Sequence, residues 1–197
     1  MLEVMAKKVL VERHPTVCWG DVSGPMLAYH DDEWGKPVHD SRALWEKLML
    51  DGFQAGLSWE IILNKREGFA RAFEGWQPER IAAYGEEDVA RLLADPGIVR
   101  NRLKVRGVIR NARAYLRLKE AGSQFSDYLW AFPGREPIDR MPSTRADVPA
   151  TSPESDAMSR ALQSAGFTFV GSTICYAFMQ AVGMVNDHLA SCPARTI

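Results

Sequence analysis

Residues 170–192 read VGSTICYAFMQAVGMVNDHLASC and end in His188 and Cys192. On a helix an i, i+4 pair lies on one face, so this imidazole and thiolate could hold two corners of a tetrahedral Zn²⁺. Two more ligands are needed, and outside the apolar runs the only other cysteine is Cys18, followed by His30. A set made of Cys18, His30, His188 and Cys192 would tie the beginning of the chain to its end. It matches no compact finger spacing, and the plainer reading is a surface cysteine near a frayed C-terminus with unrelated histidines. His14 is a rival ligand because it stands four residues before Cys18. Pro15 disfavours the helical turn that would align those two groups, so His30 is preferred.

A chain of 197 residues with 46% hydrophobic content can bury a sizeable core, in one domain or two small ones sharing an interface. Six tryptophans are many, and each must be either core or a platform for a flat ligand. A formal net charge of -1 gives no overall pull toward nucleic acid or anionic membrane, so any such binding has to come from local clustering. Three cysteines without a signal-peptide pattern point to a reducing, cytoplasmic setting, and no apolar run is long enough to span a bilayer. No nucleotide-type phosphate loop, internal repeat or Ser-His-Asp pattern is present.

Residues 1–15 read as an extension, with the main all-helical domain over 16–197, in two helical lobes with the termini packed together. Residues 18–35 are turn-rich yet concentrate Trp19, Tyr29 and Trp34 with Asp31, Asp32 and Glu33. Aromatics on a loop serve either as ligand contacts or as plugs over the core beneath. A helix is expected after Asp40 or Ser41, burying Leu44, Trp45, Leu48 and Met49. Gly52 and Gly56 then weaken it by about 1 kcal/mol each relative to alanine, which predicts a break or a close backbone approach around Asp51. Asp51 suits a pocket floor there, or equally the cap of the next helix.

Three short helices are expected within 67–97, then a long one over 102–120 ended by Gly122. On the long helix Arg102, Arg106, Arg110, Arg113 and Arg117 form one basic stripe, suited to DNA phosphates or, equally, a solvated face with acidic partners elsewhere. The turn around Gly97 invites comparison with a helix-hairpin-helix, whose backbone amides hold a phosphate. Five prolines make 133–153 an irregular connector, and helix resumes from about 155 to 165.

Taken together, YHDDEWG (29–35), LMLDGFQAGLSW (48–59), RNARAYL (110–116) and FVGSTICYAFMQAVGMVNDH (169–188) closely resemble the DNA-3-methyladenine glycosylase I family, over about residues 18–192. The resemblance implies an all-α fold of the helix-hairpin-helix glycosylase superfamily and a structural zinc at Cys18, His30, His188 and Cys192. It also implies a monomeric base-excision-repair enzyme acting on double-stranded DNA with alkylated bases. In that enzyme a flipped 3-methyladenine would be held by Tyr29 and Trp59, with Trp19 and Trp34 nearby and Asp51 as the catalytic carboxylate. Gly97, Arg102, Arg106 and Arg110 would meet phosphate. The resemblance is to a monofunctional glycosylase, and no lysine stands out in the pocket segments, so the reaction is expected to stop at an abasic site.

Three positions depart from the family pattern. Asp51 replaces the usual glutamate, the loop between Cys18 and His30 is one residue shorter with Met26 near a frequent tyrosine, and Thr168 stands where lysine is frequent. Two other readings remain: a non-catalytic, zinc-stapled DNA-binding module, and a hydrolase whose zinc keeps an open position.

Overall fold

The structure, a computed structural model, describes residues 18–196. The 1–15 extension and His14 lie outside the described residues. Ten α-helices make up most of it: α1 (Gly24–Asp32), α2 (Ser41–Gln54), α3 (Trp59–Leu63), α4 (Arg66–Ala72), α5 (Pro78–Ala82), α6 (Glu86–Ala94), α7 (Arg102–Glu120), α8 (Phe125–Trp130), α9 (Pro153–Ser164) and α10 (Ser172–Ala181). Among the described residues no helix is long and apolar enough to cross a membrane.

Local chemistry sets the helix limits. The Asp40 carboxylate accepts from the Arg42 and Ala43 amides, at 3.1 and 2.8 Å, and starts α2. Asn101 does the same for α7 through Leu103 and Lys104, and Gly122, at φ +84°, stops it. Ser152 accepts from the Ser155 amide, with Pro153 in the first turn of α9.

The stripe Leu44, Trp45, Leu48 and Met49 is buried in the main core, where α2 meets α7, α8 and α10. The Phe73 and Trp76 rings stack there, 4.8 Å apart and 5° from parallel, and the Trp45 indole N–H is satisfied by the Trp76 carbonyl at 2.9 Å. A smaller cluster gathers Cys18, Tyr29, Trp34, Ala181, Leu189 and Cys192, so the two ends of the described chain meet.

Among the described residues the helical expectation holds apart from one two-residue pairing, in which Ile138–Asp139 (β1) in the connector runs parallel to Val185–Asn186 (β2). One expectation needs correction. The helix through 170–192 is shorter than its apolar run. It ends at Ala181, and Gly183 turns the chain at φ +69°, where an added Cβ would stand 2.4 Å from the Lys36 backbone. His188 and Cys192 therefore share no helical face. The His188 amide donates to the Asn186 side chain at 3.2 Å and the Cys192 amide to the Leu189 carbonyl at 2.8 Å, and these turns supply the proximity instead.

Candidate active site

α2 does not break at Asp51. It runs three residues further and ends at Gln54, where the buried Lys104 of α7 donates to the Phe53 and Ala55 carbonyls at 2.8 and 2.6 Å. A cation on the terminal carbonyls of a helix satisfies orphan acceptors and complements its dipole. Gly52 stays within the helix, and a Cβ there would lie 3.4 Å from that of Phe169, an ordinary contact. Ser58, not Asp51, caps α3 by accepting from the Ile61 amide.

This arrangement turns Asp51 into a cleft of about 380 Å³. α1 supplies Met26 and Tyr29 to its wall, the loop after α1 supplies Trp34, and α3 opens with Trp59; Trp19, Lys47, Gln54, Arg145, Gln180 and Asp187 add to the polar and aromatic lining. The four aromatics named from sequence converge. Tyr29 and Trp59 have ring centres 5.2 Å apart, Trp19 stacks on Tyr29 at 6.0 Å, and Trp19 meets the edge of Trp34 at 5.0 Å. Such faces attract flat cations.

The buried Asp51 carboxylate accepts from Lys47 Nζ through Oδ1, while Oδ2 has no hydrogen-bond partner. Burial raises the Asp51 pKa, opposed by the charge of Lys47, and burial lowers that of Lys47, opposed by Asp51. Lys47 Nζ also stands 3.9 Å from the Trp59 ring centre. The expectation of a pocket without lysine is thus wrong. Lys47 precedes Asp51 by one turn on α2, and their i, i+4 spacing was the signal that could have revealed it. Asp187 was also missed; one of its oxygens accepts from the Tyr176 hydroxyl at 2.6 Å and from Gln180 at 2.8 Å.

Beside the cleft the structure brings Cys18, His30, His188 and Cys192 together, all buried, with their ligand atoms within 4.8 Å of one another. Sulfur-to-nitrogen separations are 3.7 Å for Cys18 to His188, 3.7 Å for Cys192 to His30 and 3.4 Å for Cys192 to His188. Bonds of about 2.3 Å to sulfur and about 2.0 Å to nitrogen in a tetrahedron would put such atoms about 3.5 Å apart. The outer contacts also suit a metal. His30 is held through Nδ1 by Asp31 at 2.8 Å, leaving Nε2 inward, and His188 donates Nε2–H to the Trp34 carbonyl at 3.0 Å, leaving Nδ1 inward.

The basic stripe is only partly available. Arg106 makes two bonds to Glu86, at 2.9 and 2.8 Å, Arg102 lies 4.0 Å from the same carboxylate, and Arg113 and Arg117 donate to the Ala82 and Ala165 carbonyls. Arg110 lines a groove with Arg106, Arg113 and Tyr84 that shares no residue with the cleft. The Gly97 amide is turned inward to Asp95 at 2.7 Å, and Gly68 of α4 packs so closely that a Cβ there would lie 2.3 Å from the Gly97 carbonyl oxygen.

A helical scaffold with a buried carboxylate among aromatic faces is one that could receive a flat, positively charged group. The model of the methyladenine glycosylase family matches residues 19–196, and the chain belongs to that family. It is 48% identical over 166 residues to DNA-3-methyladenine glycosylase 1 of Escherichia coli (strain K12), covering 84% of this chain and 89% of that one. A crystal structure of 3-methyladenine DNA glycosylase I superposes with a TM-score of 0.90 at 45% identity, covering 92% of this chain and all of that one. A structure of the Staphylococcus aureus enzyme, described as showing the basis of 3-methyladenine recognition, gives 0.89 at 33% identity, covering 92% and 97%.

Proposed function

We propose that this protein is a monofunctional DNA glycosylase that flips 3-methyladenine out of alkylated duplex DNA and hydrolyses its bond to deoxyribose, leaving an abasic site. The observation that carries the reading is Asp51, a buried carboxylate with one oxygen unpartnered, set in a cleft walled by Tyr29, Trp59, Trp19 and Trp34. Methylation at N3 makes the base cationic and weakens its glycosidic bond, so the protein has to recognise a cation more than activate a leaving group. Aromatic faces attract a desolvated cation by roughly 1 to 2 kcal/mol, and a carboxylate accepting from the exocyclic amine disfavours neutral bases lacking that charge.

Leu57 is the natural wedge for extrusion. It is exposed beside Gly56, φ +78°, in the loop between α2 and α3 that also leads to Trp59. An apolar side chain at that rim can fill the gap a flipped base leaves in the stack. The α6-turn-α7 pair serves as the helix-hairpin-helix that meets the phosphate backbone. The Gly97 amide that would have held a phosphate is taken by Asp95, so the support is the basic residues that follow the turn, of which Arg110 is freest for phosphate.

Cys18, His30, His188 and Cys192 hold a structural Zn²⁺. Four protein ligands would fill its coordination, so it supplies folding energy rather than Lewis-acid chemistry. Cys18, Cys175 and Cys192 are buried and form no disulfide among the described residues, which accords with a reducing cytoplasm.

The test is incubation with duplex DNA treated with a methylating agent, followed by identification of released bases and of strand ends. Release of 3-methyladenine with unbroken strands supports the reading. DNA binding without base release would leave only a non-catalytic module.

A further inference from the structure

The carboxylate and the ring best placed to select a positive base, Asp51 and Trp59, are already engaged by a positive charge of the protein's own. Lys47 Nζ pairs with Asp51 Oδ1, stands 3.9 Å from the Trp59 ring centre and lies 6.0 Å from that of Tyr29. A base stacked on Trp59 needs its atoms at about 3.5 to 4.0 Å from the ring, which is the layer the ammonium nitrogen fills. The backbone beneath cannot give way, because Leu44, Leu48 and Leu50 on either side of Lys47 are buried in the core. What can move is the side chain itself, a compact charge on a flexible four-carbon stem.

We propose that Lys47 is a specificity-determining residue of the base pocket: its ammonium is a resident cation, and a lesion base enters by exchanging with it on Trp59 and Asp51. The inference rests on reading the cleft as a base pocket. The exchange keeps Asp51 supplied with a counter-charge only when the incoming base is itself cationic. A neutral purine would expel the ammonium and leave a buried carboxylate uncompensated, a state the interior strongly disfavours.

Lys47→Met keeps the length of the side chain and removes the charge. On the alkaline plateau of its pH-binding curve, where Asp51 is ionised without Lys47, it should bind the fixed cation 3,9-dimethyladeninium about tenfold more tightly than wild type, because a desolvated cation on an aromatic face no longer has to be displaced. Single-turnover release of 3-methyladenine at limiting enzyme concentration should rise in step. A second readout uses the unaltered protein: the ¹⁵N resonance of the Lys47 ammonium should move toward that of a solvated lysine as the same probe saturates the site. Equal or weaker binding by folded Lys47→Met, or a Lys47 resonance unchanged at saturation, overturns the exchange. If wild type releases no 3-methyladenine at all, the reading of the cleft fails and the inference with it.

Discussion

His188 and Trp34 are joined twice, by the Nε2–H bond to the Trp34 carbonyl at 3.0 Å and by an edge contact between their rings, 4.5 Å centre to centre. Trp34 also lines the cleft. One residue thus forms part of the wall of the candidate base site and part of the support of the Cys/His cluster, and disturbance of the cluster should be felt in the cleft.

The purified protein should carry one zinc per chain, and cobalt substitution should give the spectrum of a tetrahedral two-thiolate site. Cys18→Ala or His188→Ala should lose the metal, while His14→Ala keeps it. A structural zinc contributes on the order of 10 kcal/mol in small metallopeptides and less within a large core. A loss of several kcal/mol here would lower the melting temperature by roughly 10 °C. Calorimetry with metal analysis checks both.

Asp51→Asn replaces the acceptor with a donor facing the base's amine. Losing a charge-assisted hydrogen bond in a dry pocket costs about 1.5 to 3 kcal/mol, so single-turnover excision should fall about ten- to hundredfold. The substitution also leaves Lys47 without its counter-charge, so the melting temperature should fall as well, and excision is compared at a temperature where the variant is folded. Asp51→Glu restores the family's usual reach and should retain or increase activity on 3-methyladenine.

Burial raises the Asp51 pKa above the ordinary aspartate range, although the Lys47 charge opposes the rise. The carboxylate therefore protonates earlier as pH falls, and excision should decline on the acid side at a higher pH than a solvated aspartate would dictate. Because the substrate is a fixed cation, the limb reports the protein. The same limb measured for Asp51→Asn should be absent.

Lys104→Met strips the cation from the Phe53 and Ala55 carbonyls at the end of α2. Leaving those acceptors unmet should cost about 2 to 3 kcal/mol in chemical denaturation, and loosen the 55–58 loop that carries Leu57. Arg110→Glu should weaken binding to all duplexes alike and reduce the salt slope by about one, measured by titration at several salt concentrations. Arg106→Glu is a poorer probe, because it also breaks the pair with Glu86.

Much of this was legible from residue patterns. The limits of α7 follow from a good cap at Asn101 and a glycine at 122, both local signals. Convergence of Cys18 and His30 with His188 and Cys192 was readable from residue type, but the spacing of the last two suited a turn as well as a helix, and the turn is what forms. Lys47 escaped because a lysine beside Glu46 on an amphipathic helix reads as its solvent face; only packing of Trp59 over it makes it part of the cleft. The pairing of Arg102 and Arg106 with Glu86 is tertiary, set by how α6 packs on α7, and no sequence period records it.

The central claim is that the Asp51 cleft takes a methylated base out of DNA and cuts its bond to the sugar. Single-turnover incubation of excess protein with a duplex carrying alkylated adenine, with released bases resolved and the strand examined before and after alkali, tests it most directly. The account predicts free 3-methyladenine and an intact strand that breaks only on alkali treatment, with release cut at least tenfold in folded Asp51→Asn. Absence of released base, strand breakage without alkali, or wild-type release by Asp51→Asn would contradict it.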